Sequence, residues 1–286
     1  LIRRQRQMCI RDRKQTINKV KEADIIIFAG GISPAVEGEE MHVNIPGFKG
    51  GDRETIELPS IQSRLLAELK KAGKKIVLVN FSGSAIALTP ETKTCDAILQ
   101  AWYPGQAGGT AIANVLFGDY NPAGRLPVTF YKSTNQLPDF EDYSMKERTY
   151  RYMTEAPLFP FGHGLSYTTF QYGNASLNTP EIKDGEQVTL TIPVSNTGKY
   201  DGEEVVQVYL RRPGDKEGPS HALRAFKRVA IAKGTTNQVT IPLSKENFEW
   251  FDTGTNTMRP IEGEYEILYG GTSELKQLKS IPVTIK

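Results

Sequence analysis

At 286 residues, with 38% apolar and 24% charged residues, the chain has room for two ordinary domains and the composition of a globular protein. Its net charge of +2 gives no footprint for nucleic acid or an acidic partner, and no apolar run approaches the ~18 residues of a membrane span. Two cysteines, Cys9 and Cys95, cannot build a disulfide framework, so they leave the redox compartment open.

Residues 1–13, LIRRQRQMCIRDR, concentrate five arginines without a helical or strand period. They are expected to be a non-native or disordered arm outside the fold. This start is basic without an apolar core, so no signal peptide is legible in it.

Residues 14–130 read as one α/β domain. Ile25, Ile26, Ile27 and Phe28 form a continuous apolar run that stops at Gly30-Gly31, the pattern of a buried parallel strand. LPSIQSRLLAELKKAG places Ile61, Leu65, Leu66 and Leu69 on one helical face, with Pro59 near its start and Gly73 past its end. KKIVLVNFSG and DAILQAWYPG read as further strands, and GGTAIANVLFG as a helix stopped by Gly118. Strands alternating with helices imply a layered domain with a largely parallel sheet. On such sheets ligands gather at the carboxyl ends of the strands.

The segment 31–58 leaves the first strand at that end. It lacks apolar periodicity and is too long for a plain connector, so it is a candidate functional loop. It carries Glu37, Glu39, Glu40, His42, Asp52 and Arg53 among glycines. It has neither the G-x-G-x-x-G spacing of a dinucleotide site nor the regular carboxylate spacing or His pair of a metal site. A solvated acidic loop satisfies the residue types. So does acid/base chemistry on a sugar, where a retaining hydrolase sets two carboxyl groups about 5 Å apart. One of those attacks, and the other, its pKa raised in a partly dry site, protonates the leaving oxygen. Residue chemistry alone does not choose among Glu37, Glu39 and Glu40. Trp102 and Tyr103 could stack on a sugar, although before Pro-Gly at a strand end packing is the better reading.

Residues 131–178 form a connector rich in Tyr, Pro and turn formers, in which ERTYRYM reads as a strand or an extended strap. Residues 179–286 change to a period of two. VTLTIPVSN alternates Val188, Leu190, Ile192 and Val194 against mostly polar residues, and EEVVQVYLRR, AFKRVAIA, NQVTIPL, GEYEILYGG and IPVTIK follow as short strands. That is the signature of a β-sandwich of immunoglobulin or fibronectin type III architecture, without the Cys pair of the former. Tyr209, Phe226, Phe248, Trp250, Phe251, Tyr265 and Tyr269 fall mostly on core-compatible positions, which favours a structural role over a glycan-binding face.

AWYPGQAGGTAIANVLFGDYNPAGRLPVTFY (101–131) and PLFPFGHGLSYTTF (157–170) closely resemble the second domain of family 3 glycoside hydrolases and the segment leading out of it. VSNTGKYDGEEVVQVYL, LRAFKRVAI and GEYEILYGG resemble the fibronectin type III-like domain that ends many members. The resemblance covers about residues 20–286 and implies an α/β sandwich followed by an all-β fibronectin type III-like sandwich. It further implies a preceding barrel that supplies an aspartate nucleophile, usually followed by Trp. No Asp-Trp pair stands in this chain, so the nucleophile and its barrel are expected to lie outside it.

On the family pattern, Val36-Glu37-Gly38 followed by Gly51-Asp52-Arg53 makes Glu37 the acid/base, with Glu39 and Glu40 as fallbacks. Asp52 and Arg53 become sugar-binding residues or residues that shape the loop. His163 lies within a structural word and takes no chemical role. The implied activity is exo-acting hydrolysis of β-linked glycosides, with retention and without a metal or other cofactor. PGQAGGTAIA and KERTYRYM lean toward β-xylosidases over β-glucosidases. A non-catalytic carbohydrate-binding or adhesion protein is the alternative of another class. Family habit places the parent in the periplasm or outside the cell.

Overall fold

The structure, a computed structural model, describes residues 10–33, 46–50, 52–183 and 186–286, with the backbone alone for residues 10–14. The chain divides into two compact units, Leu1–Ala113 with Phe130–Asp139, and Asn114–Thr129 with Phe140–Lys286.

The first unit opens with helix α1 (Ile10–Lys19), which starts inside the arginine-rich segment set aside above. Strands β1 (Ile25–Gly31), β4 (Lys75–Phe81) and β5 (Ala97–Gln100) form a parallel sheet in the order β1-β4-β5. Between β1 and β4 lie two short strands, β2 (Phe48–Lys49) and β3 (Asp52–Arg53), and helix α2 (Ser60–Lys71). Helix α3 (Thr89–Thr94) precedes β5, and α4 (Gly108–Phe117), whose residues from Asn114 on count with the second unit, follows it and ends at Gly118, whose φ is +85°. Of the α2 face chosen by its period, Leu65, Leu66 and Leu69 are buried, as are Ile76, Leu78 and Val79 of β4, while Ile61 is only half-buried. Past its end Gly73 takes φ +77°, and Lys74 N–H closes on Leu69 O at 3.2 Å.

One expectation about this sheet fails. β4 is buried as its apolar run demands, but β1 is an edge strand whose Ile25 and Ile27 are half exposed. A continuous apolar run signals cover on both faces; among the described residues one face of β1 has none.

The second unit is a two-sheet sandwich. One sheet runs β11 (Ala222–Ile231), β10 (Gly202–Arg211), β15 (Gly263–Gly270), β16 (Lys279–Ile285), β8 (Glu181–Ile182). The other runs β12 (Thr236–Ser244), β9 (Gln187–Asn196), β6 (Phe170–Tyr172), with β7 (Ser176–Leu177) also paired to β9. A hairpin of β13 (Glu249–Asp252) and β14 (Thr257–Pro260) stands apart from both sheets. β9 obeys its period: Val188, Leu190, Ile192 and Val194 are fully buried, and so is Asn196. The Asn196 amide donates to Tyr200 O and Ile231 O and accepts from Thr168 Oγ1 and Gly198 N–H, so its burial leaves nothing unpaired. The segment read as a strand or strap, ERTYRYM, closes instead into a single helical turn, α5 (Thr149–Tyr152), with Met153 N–H on Thr149 O at 3.0 Å.

His221 is buried in this unit, edge-on to Tyr150 and Tyr209, with Nε2 at 2.8 Å from Ser273 O and Nδ1 at 2.7 Å from Ser220 Oγ. Burial pushes its imidazole down from 6.5 to about 4. The unfolded chain therefore takes up a proton near pH 6.5 that the folded chain refuses until about pH 4. Stability from this group is complete above pH ~6.5 and is lost as the pH falls toward about 4, by about 2–3 kcal/mol. Chemical denaturation across that range should show a flatter pH slope in His221→Gln than in the parent. Equal slopes would assign the loss to other groups.

Candidate functional site

Chemistry on a parallel sheet belongs at the carboxyl edge, and here that edge is tied together by polar side chains. At the end of β1, Gly31 lies so close to β4 that a Cβ would sit 1.9 Å from Phe81 O, and its φ is +122°. Only glycine fits there. Its backbone is gripped by Gln62 of α2, whose Oε1 accepts Gly31 N–H at 2.8 Å and whose Nε2 donates to Gly31 O at 2.7 Å. Ile32 N–H then bonds Phe81 O at 2.8 Å, so the chain leaves the sheet on a fixed course. At the end of β4, buried Asn80 donates to Gln100 Oε1 at 2.6 Å, Gln100 donates to Ser82 Oγ at 3.0 Å, and Ser82 donates to Ser84 O at 2.8 Å.

The long loop returns to this same edge. β2 and β3 pair antiparallel, with Phe48 opposite Arg53 and Lys49 opposite Asp52. Arg53 Nη1 donates to Ser84 Oγ at 2.9 Å and Nε to Thr55 O at 3.2 Å. Ala87 N–H bonds Ile56 O, and Ile56 N–H bonds Thr134 Oγ1. Glu57 takes both donors of Thr134, N–H at 2.8 Å and Oγ1–H at 2.6 Å. Burial pushes the Glu57 carboxyl up, but hydrogen bonds from Thr134, from its own backbone and from Thr55 together hold the group below the usual glutamate value. Glu57 is thus a charged clasp that fastens the end of the loop.

Glu37, Glu39, Glu40 and His42 lie outside the described residues. The structure places Arg53 on Ser84 and Thr55, leaves Asp52 exposed on the hairpin, and gives both ends of the loop a fixed seat on one edge of the sheet. Gln62, Asn80, Ser84, Gln100 and the Glu57–Thr134 clasp were not singled out from the sequence. The available signal was a polar residue at the end of each buried strand run, Asn80 in VLVN and Gln100 in AILQ.

The aromatics past β5 separate. Trp102 takes φ +56°, a strained choice for a bulky residue, and meets buried Phe130 edge-on at 6.0 Å. Tyr103 is 40% exposed, and its ring occupies the space a Cβ at Gly83 would need. His163 stacks on Phe159 at 5.1 Å, and burial lowers its pKa further from the charged form. No group of three or more His, Cys, Asp or Glu able to hold a metal occurs among the described residues. Burial raises the Cys95 thiol to about 11, too high for a thiolate nucleophile near neutrality.

In the second unit Tyr209, Phe248, Trp250, Tyr265 and Tyr269 are buried, while Phe226 and Phe251 stay exposed on β11 and β13. Five of those seven aromatics therefore serve the core, which favours the structural role.

Residues 10–167 match the glycosyl hydrolase family 3 C-terminal domain, and residues 204–273 match the fibronectin type III-like domain. Over 274 residues the chain is 56% identical to a xylan 1,4-beta-xylosidase of Xylanibacter ruminicola, covering 96% of this chain and 32% of that protein. It is 33% identical to a periplasmic beta-glucosidase of Salmonella typhimurium over 89% of this chain and 36% of that one. A solved family 3 beta-glucosidase of Bifidobacterium adolescentis superposes with a TM-score of 0.82 at 28% identity, over 96% of this chain and 41% of its own. The chain spans about a third of the length of the curated relatives it matches.

Proposed function

Because the chain belongs to family 3 of the glycoside hydrolases, we propose that it is the acid/base-bearing part of a retaining, exo-acting β-xylosidase. One observation supports this best: the described flanks of the long 31–58 segment are seated on the carboxyl edge of the sheet, by the Gln62 grip on Gly31 and by Arg53 on Ser84. Glu37 belongs to the stretch of sequence that joins these two seats. In this reading Glu37 protonates the leaving glycosidic oxygen while a carboxylate on another part of the enzyme attacks the anomeric carbon. The covalent sugar ester is then hydrolysed by water that Glu37 deprotonates. Arg53 acts by holding the loop, and Asp52 stands exposed beside it.

The 56% identity to a xylan 1,4-beta-xylosidase favours xylose at the cleaved end. β-Glucosidase activity is the second reading, favoured by the Salmonella relative and the solved glucosidases. The name of that relative also supports a periplasmic or extracellular setting. No helix among the described residues is long and apolar enough to cross a membrane.

The experiment compares the chain alone with the chain fused to the part of the Xylanibacter ruminicola xylosidase that it does not match. With one of two required carboxylates, the chain alone should turn over nitrophenyl β-xyloside far below ~1 s⁻¹, and the fusion should recover turnover. A chain that hydrolyses the xyloside alone at ordinary enzyme rates refutes the division of labour. A fusion that prefers the β-glucoside moves the assignment to the second reading.

A further inference from the structure

We infer that residues 140–145 form a preformed knuckle that docks on the part of the enzyme its relatives carry beyond the third matched here; this rests on reading the chain as one part of a longer hydrolase. Phe140 and Tyr143 are 93% and 92% exposed, and Met145 47% exposed. Single exposed apolar residues need no explanation, but three within six positions on one rigid turn do.

The turn is rigid because it satisfies itself. Asp142 Oδ1 accepts Ser144 N–H at 2.8 Å, and the Arg148 guanidinium donates to Ser144 O at 3.0 Å and to Asp142 O at 2.5 Å. Arg148 N–H bonds Met145 O at 3.0 Å. Glu147 Oε2 accepts both Thr154 N–H and Thr154 Oγ1–H at 2.9 Å. Glu147 and Thr149 hold φ of +56° and +57°, a region that a β-branched threonine rarely adopts. A turn tied by Asp142 and Arg148, followed by strained backbone at Glu147 and Thr149, that displays apolar rings to water is arranged for a partner.

The partner is protein. Phe, Tyr and Met are the side chains enriched at protein interfaces. The relatives are about three times as long as the stretch they share with this chain, and an inter-domain contact of ordinary size needs such anchors.

The test is hydroxyl-radical footprinting of the chain alone and of the fusion described above. In the fusion, oxidation of Phe140, Tyr143 and Met145 should slow about five-fold or more, as for side chains in a dry interface core. Tyr200 and Phe226, exposed by 59% and 68% on the sandwich, should keep their rates. Equal rates at the knuckle in both proteins overturn the inference. Protection in the chain alone that grows with its concentration also overturns it, in favour of a second copy, and so does protection of the chain alone by xylotriose, in favour of a glycan. Phe140→Asp with Tyr143→Asp should leave the melting midpoint of the chain alone unchanged; a clear fall would make the rings part of the chain's own fold and overturn the inference without the fusion. A fusion that protects the knuckle but lacks glycosidase activity refutes the proposed function and keeps the docking. An active fusion with an unprotected knuckle does the reverse.

Discussion

Glu37→Gln in the active fusion should lower turnover of xylosides with poor leaving groups by about 10²–10⁴-fold, the usual worth of a positioned general acid/base. Both chemical steps need this proton, first on the leaving oxygen and then from the attacking water. Substrates with good leaving groups bypass the first need, so nitrophenyl xyloside should form the covalent intermediate at a less affected rate and stall at hydrolysis. Azide, which attacks without a general base, should then restore turnover and give a β-xylosyl azide of retained configuration. Glu39→Gln and Glu40→Gln should stay close to the parent. If one of them is the variant that loses rate and recovers with azide, the acid/base moves to that position and the loop assignment stands. If all three keep their rates, the loop is not the acid/base loop. Arg53→Ala should act differently: loss of its bond to Ser84 loosens the loop without removing the acid, so the rate falls and azide does not restore it.

What the sequence made legible follows from periods and from long shared words. Val188, Leu190, Ile192 and Val194 were readable as a buried face because a strand alternates by two, and each is fully buried. Leu65, Leu66 and Leu69 were readable because a helix repeats by 3.6, and they too are buried. The long stretch at 101–131 placed the chain in its family, to which residues 10–167 match. Long-range polar pairs carry no such period. Nothing in the residue types announces that Arg53 meets Ser84, that Thr134 closes both donors onto Glu57, or that Gln62 replaces a strand partner for Gly31. ERTYRYM looked extended because Tyr and Thr favour strands. The turn is set instead by positive φ at Glu147 and Thr149, which Arg148 and Glu147 support through bonds to backbone and Thr154. The apolar run of β1 signalled cover on both faces, and what lies over Ile25 and Ile27 is not a property of the run itself.

Glu204 gives the largest expected effect on stability. Its carboxylate is buried in the second unit, where Oε2 accepts Arg125 Nη2 at 2.7 Å and Oε1 accepts Tyr172 O–H at 2.9 Å. Both charged side chains are nearly sealed, at 9% and 4% exposure. Burial pushes the Glu204 carboxyl above its ordinary value, against the pull of Arg125 and Tyr172, so the pair sits where an uncompensated charge would be costly. Glu204→Gln keeps the shape and removes the charge, and it leaves the Arg125 guanidinium buried without a counter-ion. Breaking a buried pair in this way costs about 3–5 kcal/mol. For a unit of this size that corresponds to a melting midpoint lower by roughly 6–20 °C. Arg125→Met should cost a similar amount by stranding the carboxylate. The double variant Arg125→Met with Glu204→Leu should cost much less than the sum, because two apolar side chains need no partner and the desolvation of two ions disappears. A single variant that melts with the parent would mean that water reaches the pair in solution and screens it. Additive costs in the double variant would mean that each side chain acts through packing alone, with Arg125 and Glu204 filling space rather than pairing by charge.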